Sequence, residues 1–250
     1  MSSSSKQQLV QKLVPLLKKK YESPAKREPV SVLEHLILGI LSDGTTTAKA
    51  DVVFERLKKN YFDWNEVRVS SIVELQEALA ELPEAEQRAT RLKSCLKHLF
   101  ETLYTFDLDS FQKLPMKEVA KKLEKLPFAA EYLTARVIRD GLEGTAMPLD
   151  SAAVRVLSRL ELIDAKTTPE ILSASLSRTI PRARSFEFCH LLSELGADTC
   201  IEPQPKCKHC CLLEYCATGQ RKITEPEPEP APSRPKRSRT KARAARGKAE

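Results

Sequence analysis

Four cysteines near the end of the chain, Cys200, Cys207, Cys210 and Cys216, are spaced C-x6-C-x2-C-x5-C. Four thiolates in so short a stretch can close around one metal centre. A loop with few apolar side chains needs such a centre to hold its shape. The segment has one CxxC pair where many zinc modules have two, and its gap of six is wider than the gaps of bacterial ferredoxins. No run approaches the length of a membrane span, and the opening MSSSSKQQ lacks the apolar core of a signal peptide. The expected location is cytoplasmic, nucleoid-associated in a bacterium, with no membrane partner. In that reducing compartment seven cysteines point to metal ligation rather than to disulfides. Cys95 and Cys189 fall in helical patterns and read as small core residues.

The remainder reads as all-α. Only 7 of 250 residues are glycine, which disfavours a turn-rich β protein, and no stretch alternates convincingly as a strand. Leu9, Leu13, Leu16 and Leu17 share one face of 6–21, where Pro15 predicts a kink or a restart. Residues 22–29 read as a linker. Residues 30–42 are almost wholly apolar after Glu34 and His35, which predicts a buried helix opened by Ser31 as N-cap and closed near Asp43 and Gly44. Further helices are expected at about 46–60, 71–80, 84–104, 169–179 and 183–195, with Trp64 in the loop after the first of these. MKEVAKKLEKL and EYLTARVIRDGL, joined by LPFAA, form a helix-hairpin-helix over 116–140. Such a turn can aim backbone N–H groups at a DNA phosphate. Asp150 precedes the helix AAVRVLSRL. It reads as an N-cap, and equally as a carboxylate that stabilises positive charge or activates water.

Charge is placed unevenly. Residues 221–250 hold ten Lys or Arg and four Glu, a net +6, against +1 for everything before them. TEPEPEPAP predicts a stiff spacer, and RPKRSRTKARAARGK a basic arm that binds nucleic acid through counterion release with little sequence preference. The candidate DNA contacts are Phe128 and Ala130 of the hairpin turn, Lys206 of the cysteine loop, and Arg234, Lys236, Arg237, Arg239, Lys241 and Arg243 of the arm.

Three motifs in order resemble the endonuclease III family of helix-hairpin-helix DNA glycosylases. The cysteine spacing, preceded by His190-Leu-Leu-Ser-Glu-Leu-Gly196, matches that family's [4Fe–4S] pattern. LPFAAEYLT at 126–134 falls on its LPGVGxKTA hairpin, and Leu149–Val156 on its VDTHVxRV. The resemblance covers roughly residues 28–218. It implies two helical subdomains flanking a cleft, with an iron–sulfur cluster loop. On that plan residues 1–29 pack with the cluster domain, 30–145 form the helical barrel domain, 146–218 the C-terminal helices and cluster loop, and 219–250 a disordered basic tail. It implies Asp150 as the catalytic residue and Cys200, Cys207, Cys210 and Cys216 as ligands of a [4Fe–4S] cluster, with zinc the alternative. Cys211 in place of Cys210 would alter the spacing, which makes Cys211 a spare. The implied partner is double-stranded DNA, bound by a monomer.

Several family positions hold different residues here. The lysine that forms a Schiff base falls on Tyr132, and a phenol cannot form an imine. The hairpin glycines fall on Phe128 and Ala130, whose side chains obstruct close approach of a phosphate. The glutamine that fills the gap of a flipped base falls on Gly44, the intercalating wedge on Pro83-Glu84-Ala85, and the glutamate of adenine-type relatives on Ile40. In the cysteine loop Lys206 is the only cation between Cys200 and Cys207. The expectation is therefore a monofunctional DNA N-glycosylase of base excision repair without AP-lyase activity. The alternative is a catalytically inactive iron–sulfur DNA-binding or scaffold protein on the same fold.

Overall fold

A computed structural model describes residues 3–23, 30–127, 131–163 and 182–224, together with Leu176 and Ile180. Among the described residues every regular element is helical. Helix α1 (Ser3–Lys18) runs through Pro15. Helix α2 (Val32–Ser42) begins at a reciprocal capping box. The Ser31 hydroxyl accepts from Glu34 N–H at 3.2 Å, and the Glu34 carboxylate accepts from Ser31 N–H at 2.9 Å. Two otherwise orphaned donors are satisfied there, which contributes about 1 kcal/mol. Nine of the eleven residues of α2 are buried, so it is the central rod of its region rather than a surface helix.

Helices α3 (Thr47–Asn60) and α6 (Ala85–Leu103) pack against α2, while α4 (Trp64–Val69) and α5 (Ile72–Ala78) pack on α6, and all contribute to one core. Trp64, expected in a loop, opens α4 instead. The Asp63 carboxylate accepts from Glu66 N–H at 2.8 Å and caps the helix, while the Trp64 ring stacks on Phe54 at 5.8 Å. Helices α7 (Met116–Leu123) and α8 (Glu131–Arg136) flank the hairpin, whose residues 128–130 lie outside the described set. The second hairpin helix is shorter than expected. It widens after Arg136 into a π-helical turn, Val137–Gly141. Such turns re-aim side chains and occur often at functional sites.

Helices α9 (Ser151–Arg159) and α10 (Arg182–Asp198) pack together, and α1 lies against α10. Buried apolar residues fall into two cores. One spans Val32–Leu142. The other joins Leu9–Leu17 to Met147–Leu212. Cys95 and Cys189 are buried, one in each core. The expected helix at 169–179 lies outside the described residues apart from Leu176. The basic tail was expected from residue 219, yet 219–224 belong to helix α11 (Ala217–Thr224). Residues 225–250 are outside the described set. No helix among the described residues is long and apolar enough to cross a membrane.

Candidate functional site

A cavity of about 740 Å³ lies between the two cores, with walls from α2, α3, α8, the π-helical turn, α10 and the N-cap of α9. Asp150 lines it while being only 1% exposed. Its Oδ1 accepts from Ala153 N–H at 2.7 Å, which makes it the N-cap of α9. Its Oδ2 accepts from Gly44 N–H at 3.3 Å. Burial pushes the Asp150 carboxyl up to about 6, and the nearby Asp43 carboxylate pushes the same way. The Ala153 and Gly44 N–H groups and the Ser193 hydroxyl pull against that rise. A carboxylate that titrates near neutrality inside a cleft is suited to general-base work.

The chain holds Asp150 in place through the turn after α2. Gly44 has φ +70°, a left-handed backbone that favours glycine, and a Cβ there would come within 2.9 Å of Ser151 Oγ. The same turn sends Asp43 Oδ1 to Ser151 N–H at 3.2 Å and Asp43 Oδ2 to Arg91 at 3.2 Å. Arg88 fixes it from beneath. This buried guanidinium donates to Ile40 O at 2.7 Å, Leu41 O at 2.9 Å, Asp43 O, and Pro83 O at 2.7 Å. The last carbonyls of a helix have no partners within it, and Arg88 supplies them.

Helix α8 brings a second group of polar residues to the cavity. It packs closely on α2 at Gly39, where a Cβ would lie 2.7 Å from Leu133 Cδ2. Across that contact Ser42 Oγ and Tyr132 Oη are 3.0 Å apart. Arg136 Nη1 donates to Ser42 Oγ at 2.8 Å and to Tyr132 Oη at 2.9 Å. Burial raises the Tyr132 phenol above its ordinary value, so it stays neutral. In the π-helical turn Arg139 grips Asp140 at 2.6 and 3.0 Å. Arg136 Nε is 3.5 Å from the same carboxylate.

No family model matches the chain, and no curated protein does. Solved structures do match. An endonuclease III–DNA covalent intermediate, trapped as an estranged-adenine complex, aligns with a TM-score of 0.64 and 19% identity over 87% of this chain and 98% of that one. A thermostable thymine-DNA glycosylase aligns at 0.60 and 19%, over 88% and 100%. The 3-methyladenine DNA glycosylase of H. pylori, bound to 1,N6-ethenoadenine, aligns at 0.53 and 15%, over 78% and 97%. The chain has the helix-hairpin-helix DNA glycosylase fold.

On this glycosylase fold the expected residues distribute unevenly. Asp150 and Tyr132 share the cavity. Ile40 is a core residue, 1% exposed. Glu84 is exposed and left-handed, with φ 55°, at the start of α6. Lys206 is half-exposed and 3.7 Å from Asp198, so its charge is partly engaged. Phe128, Ala130, Arg234, Lys236, Arg237, Arg239, Lys241 and Arg243 lie outside the described residues. Sequence reasoning passed over Ser42, Arg88 and Arg136, and read Gly44 only as a helix end and a missing side chain. Only the i, i+4 spacing of Tyr132 and Arg136 could have drawn attention to any of them.

The four cysteines of the C-x6-C-x2-C-x5-C set line one small cavity together with Arg159, Leu213 and Gly219, and Cys211 does not line it. None of the four is paired in a disulfide. Arg159 Nη1 lies 3.2 Å from Cys200 Sγ, and Gly219 N–H donates to Cys216 Sγ at 3.2 Å. The Gly219 contact favours the Cys216 thiolate. Burial pushes Cys210 up to about 11 and raises Cys216, and the neighbouring thiols add to both. A cation among these sulfurs would reverse that cost, since a coordinating thiol is deprotonated outright. Among the described residues no group of three His, Cys, Asp or Glu is disposed to hold a single metal ion. A four-iron cluster takes one thiolate per iron, so its ligands need not meet at one ion. The donor set fits that group. The loop is tied to the cleft through α9, whose first turn is capped by Asp150. Arg155 of the same helix donates to Gly196 O at 2.8 Å and Cys200 O at 2.9 Å, and Arg159 to Cys200 O at 2.9 Å.

Proposed function

We propose that this protein is a monofunctional DNA N-glycosylase of base excision repair. The observation that carries the reading is Asp150, buried at the head of α9 and facing a 740 Å³ cleft on a glycosylase fold. The substrate base would be extruded from the duplex into the cleft. Above pH 6 Asp150 is ionised, and its carboxylate can stabilise positive charge on the sugar and accept a proton from the attacking water. Gly44 and Ala153 N–H groups hold both oxygens in place. Tyr132 offers no amine, so no Schiff base forms at that position and the strand stays intact. Cys200, Cys207, Cys210 and Cys216 would hold a [4Fe–4S] cluster that supplies structure by clasping the loop.

Release of bases from a panel of damaged duplexes, read after hot alkali, tests the activity. Borohydride trapping on abasic DNA is expected to yield no covalent adduct. An adduct would show that another amine acts as nucleophile. Absence of cleavage across the whole panel would favour an iron–sulfur DNA-binding scaffold. Two observations lend that second reading some support: Glu84 stands where an apolar wedge is expected, and Glu22, Asp51 and Glu194 line the cleft.

The tail is proposed as the main nonspecific DNA contact. Residues 225–250 hold eight Lys or Arg and four Glu. Removing them is expected to weaken binding to undamaged duplex at low salt by at least about tenfold and to flatten the salt dependence. Fluorescence anisotropy over a salt series reads both. An unchanged affinity would rule the tail out.

A further inference from the structure

The reaction just described gives no task to Ser42, Tyr132 and Arg136. These three side chains line the cavity and are bonded to one another. Ser42 is 4% exposed and Tyr132 9%, so the group is built into the wall rather than draped over it.

Counting hydrogens shows what the group can offer. The two hydrogens of Arg136 Nη1 go to the two hydroxyl oxygens. The bond between Ser42 and Tyr132 uses one hydroxyl hydrogen, whichever residue donates it. One hydroxyl hydrogen is left over, on a neutral phenol or a serine polarised by a guanidinium. The nearest carboxylate to Arg136 is Asp140, which is already held by Arg139 at 2.6 and 3.0 Å and is 3.5 Å from Arg136 Nε. Asp150 also acts on both Arg136 and Tyr132, so the positive charge behind the hydroxyls is partly offset and the directed hydrogen bonds carry the recognition. A ligand meeting this wall needs an acceptor, and gains most if that acceptor becomes negative.

We propose that Ser42, Tyr132 and Arg136 form a donor cradle for a carbonyl oxygen of the extruded base and stabilise that base as it leaves as an anion. The proposal rests on the glycosylase reading and names its substrate class: bases with a carbonyl conjugated to the glycosidic nitrogen. The C1′–N bond breaks and its electron pair passes to the base, where it is delocalised onto the carbonyl oxygen. A water oxygen bonds to C1′, and Asp150 accepts the water proton. The departing anion is then protonated from solvent, and Asp150 returns its proton to solvent. A cationic alkylated purine leaves as a neutral base and gains nothing from the cradle. Because Glu22, Asp51, Asp140, Asp150 and Glu194 all line the cavity, the preference comes from short hydrogen bonds and not from the overall field.

The test uses the full chain with Tyr132→Phe and Arg136→Gln. Single-turnover release is measured from duplexes carrying uracil, 5-fluorouracil, thymine or 7-methylguanine. Binding is measured to uracil and 7-methylguanine duplexes made uncleavable by 2′-fluoroarabino sugars. Tyr132→Phe is expected to slow uracil release about tenfold and Arg136→Gln about 100-fold. Losses should be smaller for 5-fluorouracil, whose anion is more stable, larger for thymine, and absent for 7-methylguanine. Equal losses across the four bases would overturn the cradle while leaving the glycosylase reading standing. If wild type releases none of these four bases but does release another base of the damaged-duplex panel, the substrate class is overturned and the glycosylase reading stands. If it releases no base from any duplex, the glycosylase reading fails and the binding arm still judges the cradle. A Tyr132→Phe protein that binds the uracil analogue as tightly as wild type overturns it. Thermal melts separate misfolding from a local loss, since Phe preserves the packing of Tyr132.

Discussion

Asp150→Asn is expected to abolish base release, by at least about 100-fold, while making the protein more stable above pH 6. The two effects share a cause. Burial raises the Asp150 carboxyl from 3.8 to about 6, so the fold favours the neutral acid. A group whose folded pKa is raised contributes stability that is complete below the unfolded value. That stability is lost as pH rises through the folded value. Between about pH 4 and pH 7 the wild-type protein should therefore lose up to about 3 kcal/mol that the asparagine variant keeps. Asparagine caps helices about as well as aspartate and can still accept from Ala153 N–H. Its amide would face Gly44 N–H poorly, and that 3.3 Å contact offsets part of the gain. Activity has the opposite sign. It needs the carboxylate, so it should rise as pH rises through about 6. Urea unfolding of both proteins at pH 4.5 and 7.5, beside a pH–rate profile, reads the whole pattern. Retained base release in Asp150→Asn would exclude this residue as catalyst. A stability gain of equal size at both pH values would show that burial of charge is not its source.

What was legible in the sequence follows the range of the interactions. The α2 capping box lies within four residues, and Ser31 and the apolar run after it were sufficient to place the helix. The N-cap role of Asp150 was visible for the same reason. Trp64 was misplaced because its helix is short, and because the Asp63 cap competes with the apparent end of α3 at Tyr61. The candidate site is different in kind. Gly44 reaches Asp150 across 106 positions, Arg136 reaches Ser42 across 94, and Arg88 reaches Ile40 across 48. No local pattern encodes such pairings; they exist only once α2 has been enclosed. Gly44 shows the consequence. As a sequence position it looked like a missing side chain, whereas in the fold its left-handed backbone turns an N–H onto the catalytic candidate.

On the cluster proposal, Cys207→Ser, or removal of iron by chelation under reducing conditions, is expected to unfold the loop and take the second core with it. Residues 200–216 have little to hold them otherwise. Their regular structure is two single 3-10 turns, Cys207–His209 and Leu213–Tyr215, and Leu212 is their only buried apolar side chain. Four sulfurs facing one small cavity are a cost without a cation and a clasp with one. The damage should spread through α9. Arg155 and Arg159 bind the Cys200 carbonyl, so a loosened loop frees the helix whose first turn Asp150 caps. Cys211→Ser should do far less, because Cys211 does not line the cavity. Iron and acid-labile sulfide in equal amounts, lost in Cys207→Ser and kept in Cys211→Ser, would support the cluster. One zinc per chain and no sulfide would replace it with zinc. Full metal content in both variants would break the assignment of Cys207 as a ligand.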